Sequence, residues 1–265
     1  MKVMKLREVE DFMGEVDFMA KFDHPNVVKC LDVVVCKRLA IIMPYGGETL
    51  RHRVEAGNKG PLPSWLALTT QLMGAIAYLH GHDVIHTDLK PMNIVINAED
   101  HLVVIDLGSC VVDRPDHRPG WLPRFDKPEV PCGTLWYRAP ETLLGWKHIQ
   151  KAVDVWAAGC TVWEIWVGST LFKAWTQNTV VKKILGQIGL AKGDSASFFH
   201  TLPNWRRELK THAAQVRPMS WKQRLAHACP SKAHAAWLQQ LLTLLPTKRP
   251  PAEGALASLA CVPEV

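Results

Sequence analysis

The stretch His86-Thr-Asp-Leu-Lys-Pro-Met-Asn93 constrains this chain more than any other. It is a polar loop set between a helical pattern and a strand pattern. Before it, Trp65, Leu68, Leu72, Ile76 and Leu79 recur at helical spacing and make one apolar stripe, with Ser64 as the expected N-cap. After it, two brief strands are expected at 94–96 and 103–105, joined by a turn at Ala98-Glu-Asp. A helix running through such a loop into a hairpin points to an α+β chain.

The flanks fit that reading. Over residues 8–21, Val9, Phe12, Met13, Val16 and Met19 share a helical face, and His24-Pro-Asn ends the pattern because proline disfavours helix in the residue before it. Apolar runs at 27–35 and 39–43, with Lys37-Arg38 between them, predict an antiparallel pair. Pro44-Tyr-Gly-Gly then breaks the pattern and predicts a connector beside a cleft near residue 45. Most of the remainder reads as helix, with spans at 151–167, 176–186 and 232–245 and an irregular stretch at 189–230.

Composition excludes several classes. With 48% hydrophobic and 21% charged residues, neither a disordered nor a fibrous chain is expected. The uncharged stretch 60–79 contains Ser64, Thr69, Thr70 and Gln71, so it reads as an amphipathic helix and not a membrane span. The net charge of +6 is scattered, and its densest patch, Trp205-Arg-Arg-Glu-Leu-Lys, carries its own acid; no nucleic-acid partner and no membrane is expected. Seven dispersed cysteines without a Cys-x-x-Cys pair, behind an N-terminus with no apolar signal core, predict reduced thiols in a soluble cytoplasmic or nuclear protein.

The chemistry lies in the loop and just beyond it. Asp88 is followed by a lysine at 90 and an asparagine at 93, and Asp106-Leu-Gly closes the second strand. Moving a phosphoryl group asks little covalent chemistry of a protein. It asks for a carboxylate to take a hydroxyl proton, oxygen ligands for magnesium and a cation near the transferred phosphate. Those residue types stand here in that order, and Ala139-Pro-Glu141 follows them.

On these motifs the sequence resembles the eukaryotic protein kinases over nearly all its length. The resemblance implies a two-lobe fold with an incomplete small lobe at 1–45 and a mainly helical large lobe at 46–265. It implies Asp88 as base, Lys90 as the group steadying the phosphate, and Asn93 and Asp106 as magnesium ligands. Lys90, with Thr134 ahead of Ala-Pro-Glu, is the serine/threonine pattern, and Thr134 joins the catalytic set. Glu15 matches the regulatory-helix glutamate, Met43 the gatekeeper, and Pro44 and Gly46 the hinge. Lys2 or Lys5 would be the tail of the lysine strand, Lys2 at the more natural distance from Glu15, and Val95 completes the nucleotide-binding set. Asp154 is expected to support the catalytic loop, Arg249 to pair with Glu141, and His86, Leu107, Met19 and Cys30 to stack in one apolar column.

The segment Gly133-Thr-Leu-Trp-Tyr-Arg138-Ala-Pro-Glu is similar to the cyclin-dependent kinases and the wider CMGC group, which implies a preference for proline after the acceptor residue. His-Thr-Asp is a variant associated with the splicing-factor and LAMMER-type kinases of that group. The implied cofactors are ATP and Mg2+, the implied partners a protein substrate and a regulatory protein. No Gly-rich loop or complete Val-Ala-x-Lys strand precedes Glu8, so the alternatives are an incomplete reading frame or fragment of an active kinase, or a catalytically silent kinase-like binding module. Between Ser109 and Thr134 there is no Ser, Thr or Tyr, and Gly14, Thr87 and Val111 stand where phosphate-binding arginines are expected. The joint loss predicts a segment ordered without phosphorylation, through its prolines and Trp121. The eleven tryptophans, five of them from Trp136 to Trp166, are expected to pack between helices.

Overall fold

The computed structural model describes residues 2–4, 13, 16, 19–35, 39–57, 62–113, 132–190, 194–205 and 218–262. Three small sheets precede and flank a helical body. Strands β1 (Lys2–Met4), β2 (Asp32–Val35) and β3 (Leu39–Ile42) form an antiparallel sheet in the order β1-β3-β2, with Lys2 opposite Ile41. The expected strand pair is present, but its first member starts at Asp32. Residues 26–28 leave the sheet to dock on a second one, where Val28 N–H donates to the Val104 carbonyl at 2.9 Å and Val104 N–H to Asn26 at 2.9 Å. Of residues 8–21, those described are 13, 16 and 19–21, and all are helical.

The second sheet, β4 (Glu48–Thr49), β6 (Ile94–Ile96) and β7 (Leu102–Val104), carries the expected hairpin, one residue earlier on its second strand. Its turn is fixed by the Asn97 side chain, whose Oδ1 accepts from the Glu99 and His101 N–H groups at 3.1 and 2.8 Å. One face of the hairpin, Ile94, Ile96, Leu102 and Val104, is buried; Val95 and Val103, on the other face, are half-buried. The third sheet pairs β5 (Val84–Ile85) with β8 (Val111–Val112).

The described helices are α1 (Leu50–Glu55), α2 (Leu62–Gly81), α3 (Pro140–Leu143), α4 (Ala152–Val167), α5 (Gln177–Ile188), α6 (Asp194–His200), α7 (Pro218–Ala228), α8 (Lys232–Leu241) and α9 (Ala252–Ala260). Helix α2 begins at Leu62, with proline in its first turn, so Ser64 lies inside the helix and is not its N-cap. The stretch 189–230 is not wholly irregular, since it contains α6 and α7. Helix α4 is buried from Asp154 to Trp166 on every side, the pattern of a central helix. Helices α2 and α8 pack against it, and α9 packs on α2.

Trp156, Trp163, Trp166, Trp221 and Trp237 are buried, as their packing role requires, whereas Trp175 is 77% exposed. The five cysteines whose side chains are described are free thiols. Among the described residues no helix is long and apolar enough to cross a membrane.

Candidate active site

The loop after β5 is shaped by one buried carboxylate. Asp154, in the first turn of α4, accepts from His86 N–H at 2.7 Å, from Thr87 N–H at 2.9 Å and from His80 Nε2 at 2.9 Å. Burial by itself would push this carboxyl up. The hydrogen bond and charge of His80, with the backbone N–H of His86, outweigh it and hold the group below the usual carboxylate range. The N-terminal end of α4 adds positive potential in the same direction. The expected support of the loop by Asp154 is thus present as three bonds.

His86 is wholly buried. Its Nδ1 accepts from Asp88 N–H at 3.3 Å and its Nε2 meets the Ile105 carbonyl at 3.1 Å, so the ring proton sits on Nε2. His86 therefore ties the loop to the strand that leads into Asp106; it supports the site from behind. Leu107 and Met19 are buried in the same core, and Cys30 packs half-buried against it.

Three side chains meet at one oxygen. Asp88 Oδ2 lies 2.5 Å from Lys90 Nζ and 3.1 Å from Asn93 Nδ2, and Asn93 Nδ2 also donates to the Asp88 carbonyl at 2.9 Å. Pro91 starts the 3-10 turn Pro91–Asn93 that brings Asn93 back under Asp88; its missing N–H costs nothing at that position. Asp106 is placed by the backbone. Ile105 N–H donates to the Asn93 carbonyl at 2.9 Å, and Asp106 then turns into the left-handed region at φ 66°, a conformation short polar side chains tolerate better than most.

An amide oxygen and a carboxylate are hard donors of the kind Mg2+ takes. The Asn93 amide N–H bonds go to Asp88, which leaves Oδ1 as the amide's acceptor. Among the described residues no group of three or more His, Cys, Asp or Glu converges as a protein metal cage. A two-residue donor set is compatible with Mg2+, which keeps waters and substrate phosphates as its other ligands.

Beside Asp88 opens a small recess of about 20 Å³ lined by Thr87, Asp88, Tyr137, Arg138 and Ala139. Burial pulls the Arg138 guanidinium below its ordinary value, with the Asp88 charge acting against that shift. The backbone of Thr134 lies in the 3-10 helix Cys132–Tyr137, which leads into this recess.

Of the nucleotide-binding set, Pro44, Gly46 and Val95 line one larger cavity of about 370 Å³, together with Ile105, Val28 and His24. The connector lies tightly on β6. A Cβ at Gly46 would stand 2.2 Å from Val95 Cγ2, and Gly47, at φ 89°, has Ile96 backbone in the same relation. Only a glycine pair fits there. Met43 is half-buried and packs on the core. The backbone of Lys2 is in β1, beside β3 and hence beside the connector, while Glu15, Lys5, Trp121 and Gly14 lie outside the described residues.

Several ties escaped the sequence. Thr87 Oγ1 donates to the Ser109 carbonyl at 2.8 Å. Asp113 N–H donates to the Asp83 carbonyl at 2.7 Å, and Lys151 Nζ lies 2.8 Å from Asp83 and 3.8 Å from Asp113. These bonds fasten the chain just after Asp106-Leu-Gly to the helical body, and no local pattern marks them because their partners stand far apart in sequence. The pairing of Arg249 with Glu141 was legible and is present, bidentate at 2.6 and 2.7 Å and buried.

A family model for the protein kinase domain matches residues 1–259. The chain belongs to the protein kinase domain family. Domains of this family in general use ATP and Mg2+ to phosphorylate proteins.

Proposed function

We propose that this chain is an ATP- and Mg2+-dependent serine/threonine protein kinase, CMGC-like and proline-directed, with its site between a smaller part at 1–45 and a larger one at 46–265. The observation that carries this reading is the shared Asp88 oxygen. Because Oδ2 takes both Lys90 and Asn93, Oδ1 is left to accept the proton of an acceptor hydroxyl in the adjoining recess. As that proton moves to Asp88, the hydroxyl oxygen bonds to the terminal phosphorus and the bond from phosphorus to the nucleotide's bridging oxygen breaks.

Lys90, drawn by Asp88 to the same point, places a positive charge where the phosphoryl oxygens pass. Asn93 and Asp106 would hold Mg2+, which when bound neutralises phosphate charge. Pro44 offers only a carbonyl to the base and Gly46 can offer N–H, with Val95 beneath; Lys2, Glu15 and Met43 complete the nucleotide set. Thr134 belongs with the catalytic group at the mouth of the recess, where Arg138 would shape the pocket for the residue after the acceptor.

Replacing Asp88 with Asn tests the reading. Phosphate transfer from ATP to a serine-proline peptide should fall about 10²–10⁴-fold, with the melting temperature unchanged. Transfer undiminished in Asp88→Asn would remove Asp88 as base. A wild-type protein that is stabilised thermally by nucleotide but transfers nothing would instead identify a silent binding module.

A further inference from the structure

Thr87 combines two features that rarely coincide. Its backbone sits in the left-handed region at φ 67°, which a β-branched residue avoids. Its hydroxyl nevertheless makes a 2.8 Å bond to the Ser109 carbonyl, 22 residues away. A strained conformation persists only where its surroundings over-determine it. Here Asp154 Oδ1 fixes the Thr87 N–H at 2.9 Å from one side and Ser109 takes the hydroxyl from the other.

The two ends of that bond matter for what they adjoin. Thr87 immediately precedes Asp88. Ser109 ends the 3-10 turn Leu107–Ser109, whose N-cap is Asp106, itself left-handed at φ 66°. The turn is tied on one side to Asn93, through Ile105 N–H, and on the other to Thr87.

We propose that Thr87 is a positioning residue. Its hydroxyl bond to Ser109 holds the Leu107–Ser109 turn, and with it the Asp106 carboxylate, in register with Asp88. The bond works together with the β5–β8 pairing and the Lys151 ion pairs just downstream, none of which needs a phosphate group. The catalytic consequence rests on the reading of Asp88 and Asp106 given above.

Thr87→Val keeps the branching, and hence the backbone strain, while deleting the hydroxyl; Thr87→Ser keeps the hydroxyl. With ATP and a serine-proline peptide, Thr87→Val should lower kcat about tenfold and raise the Mg2+ concentration for half-maximal rate several-fold. KM for the peptide should stay within twofold, and Thr87→Ser should recover most of the loss. Independently of catalysis, amide hydrogen exchange at Cys110–Val112 in the nucleotide-free protein should quicken about tenfold in Thr87→Val and not in Thr87→Ser. Unchanged exchange in Thr87→Val overturns the proposal whether or not the protein transfers phosphate. Quickened exchange with an unchanged kcat and Mg2+ dependence also overturns it, since Thr87 would then be structural only. A wild type without transfer counts against the assignment of function, while the exchange comparison still decides whether the bond holds the turn.

Discussion

Helix α4 carries two buried carboxylates, three turns apart, that illustrate opposite solutions to one problem. Asp154 and Glu164 are 1% and 0% exposed, so each has lost its water. Asp154 has three donors at 2.7 to 2.9 Å and remains charged. Glu164 has the Tyr137 hydroxyl at 2.7 Å and Arg51 only at 3.7 Å. Burial pushes Glu164 up, and Tyr137, Thr170 and Arg51 only partly oppose it; the same burial and the Glu164 charge push the Tyr137 hydroxyl up as well. Equal burial thus gives opposite displacements, because partner number and distance decide whether burial or the partners prevail. The charged acid holds the loop that carries Asp88; the acid displaced toward neutrality fills space behind Tyr137.

The limiting case of a satisfied acid is Glu141. Arg249 meets both its oxygens and also donates to the Thr243, Ala152 and Leu244 carbonyls at 2.8 to 2.9 Å, with the guanidinium 5.0 Å above Trp156. Arg249→Met leaves a charge buried with no counter-ion and should cost about 3–5 kcal/mol, read by urea unfolding. A loss below about 1 kcal/mol would mean that water reaches Glu141 and that burial is not what sets these acids apart.

Asp154→Asn tests the first member of the comparison. The amide keeps one oxygen acceptor but turns N–H groups toward other N–H donors, so about 2–3 kcal/mol should go, a fall of roughly 5–10 °C in melting temperature for a chain of this size. The loop should loosen with it, so that kcat drops while peptide KM holds. Full stability with full activity in this variant would show that His86 and Thr87 need no common acceptor.

What the sequence made legible follows the range of the interactions. Asp88, Lys90 and Asn93 lie within six residues, so one loop carries all three, but their roles were read from the resemblance and their meeting at one oxygen was not foreseen. Asp106 could be placed because a hairpin of nearly fixed length returns the chain beside Asn93. Ser64 misled because a good capping residue stood two places inside a helix that Pro63 allowed to start earlier. The helices α6 and α7 were hidden by stretches without a clean apolar period. Thr87 to Ser109, Lys151 to Asp83 and Tyr137 to Glu164 join residues 22, 68 and 27 apart, and each partner looks unexceptional where it stands. Such ties belong to the packed fold and to no segment of it.

Glu164→Gln gives the smallest effect and the sharpest sign. The folded state raises the pKa of this acid, so it binds the proton more tightly than the unfolded chain. Wild-type stability is therefore unpenalised below the ordinary glutamate value of about 4.3 and declines as pH rises through the folded value. Asp154 runs the other way: its contribution is complete above the ordinary aspartate value of about 3.9 and disappears as pH falls through its lowered folded value. Glutamine resembles the neutral acid and can still accept from Tyr137, and Arg51 retains Glu55 at 2.6 Å. The variant should then match wild type near pH 4 and exceed it by up to about 1 kcal/mol at pH 8, in urea unfolding at the two pH values. A variant about 2 kcal/mol less stable at pH 8 would mean that Glu164 is ionised and bound to Arg51 across their 3.7 Å separation, and the two acids of α4 would then be alike.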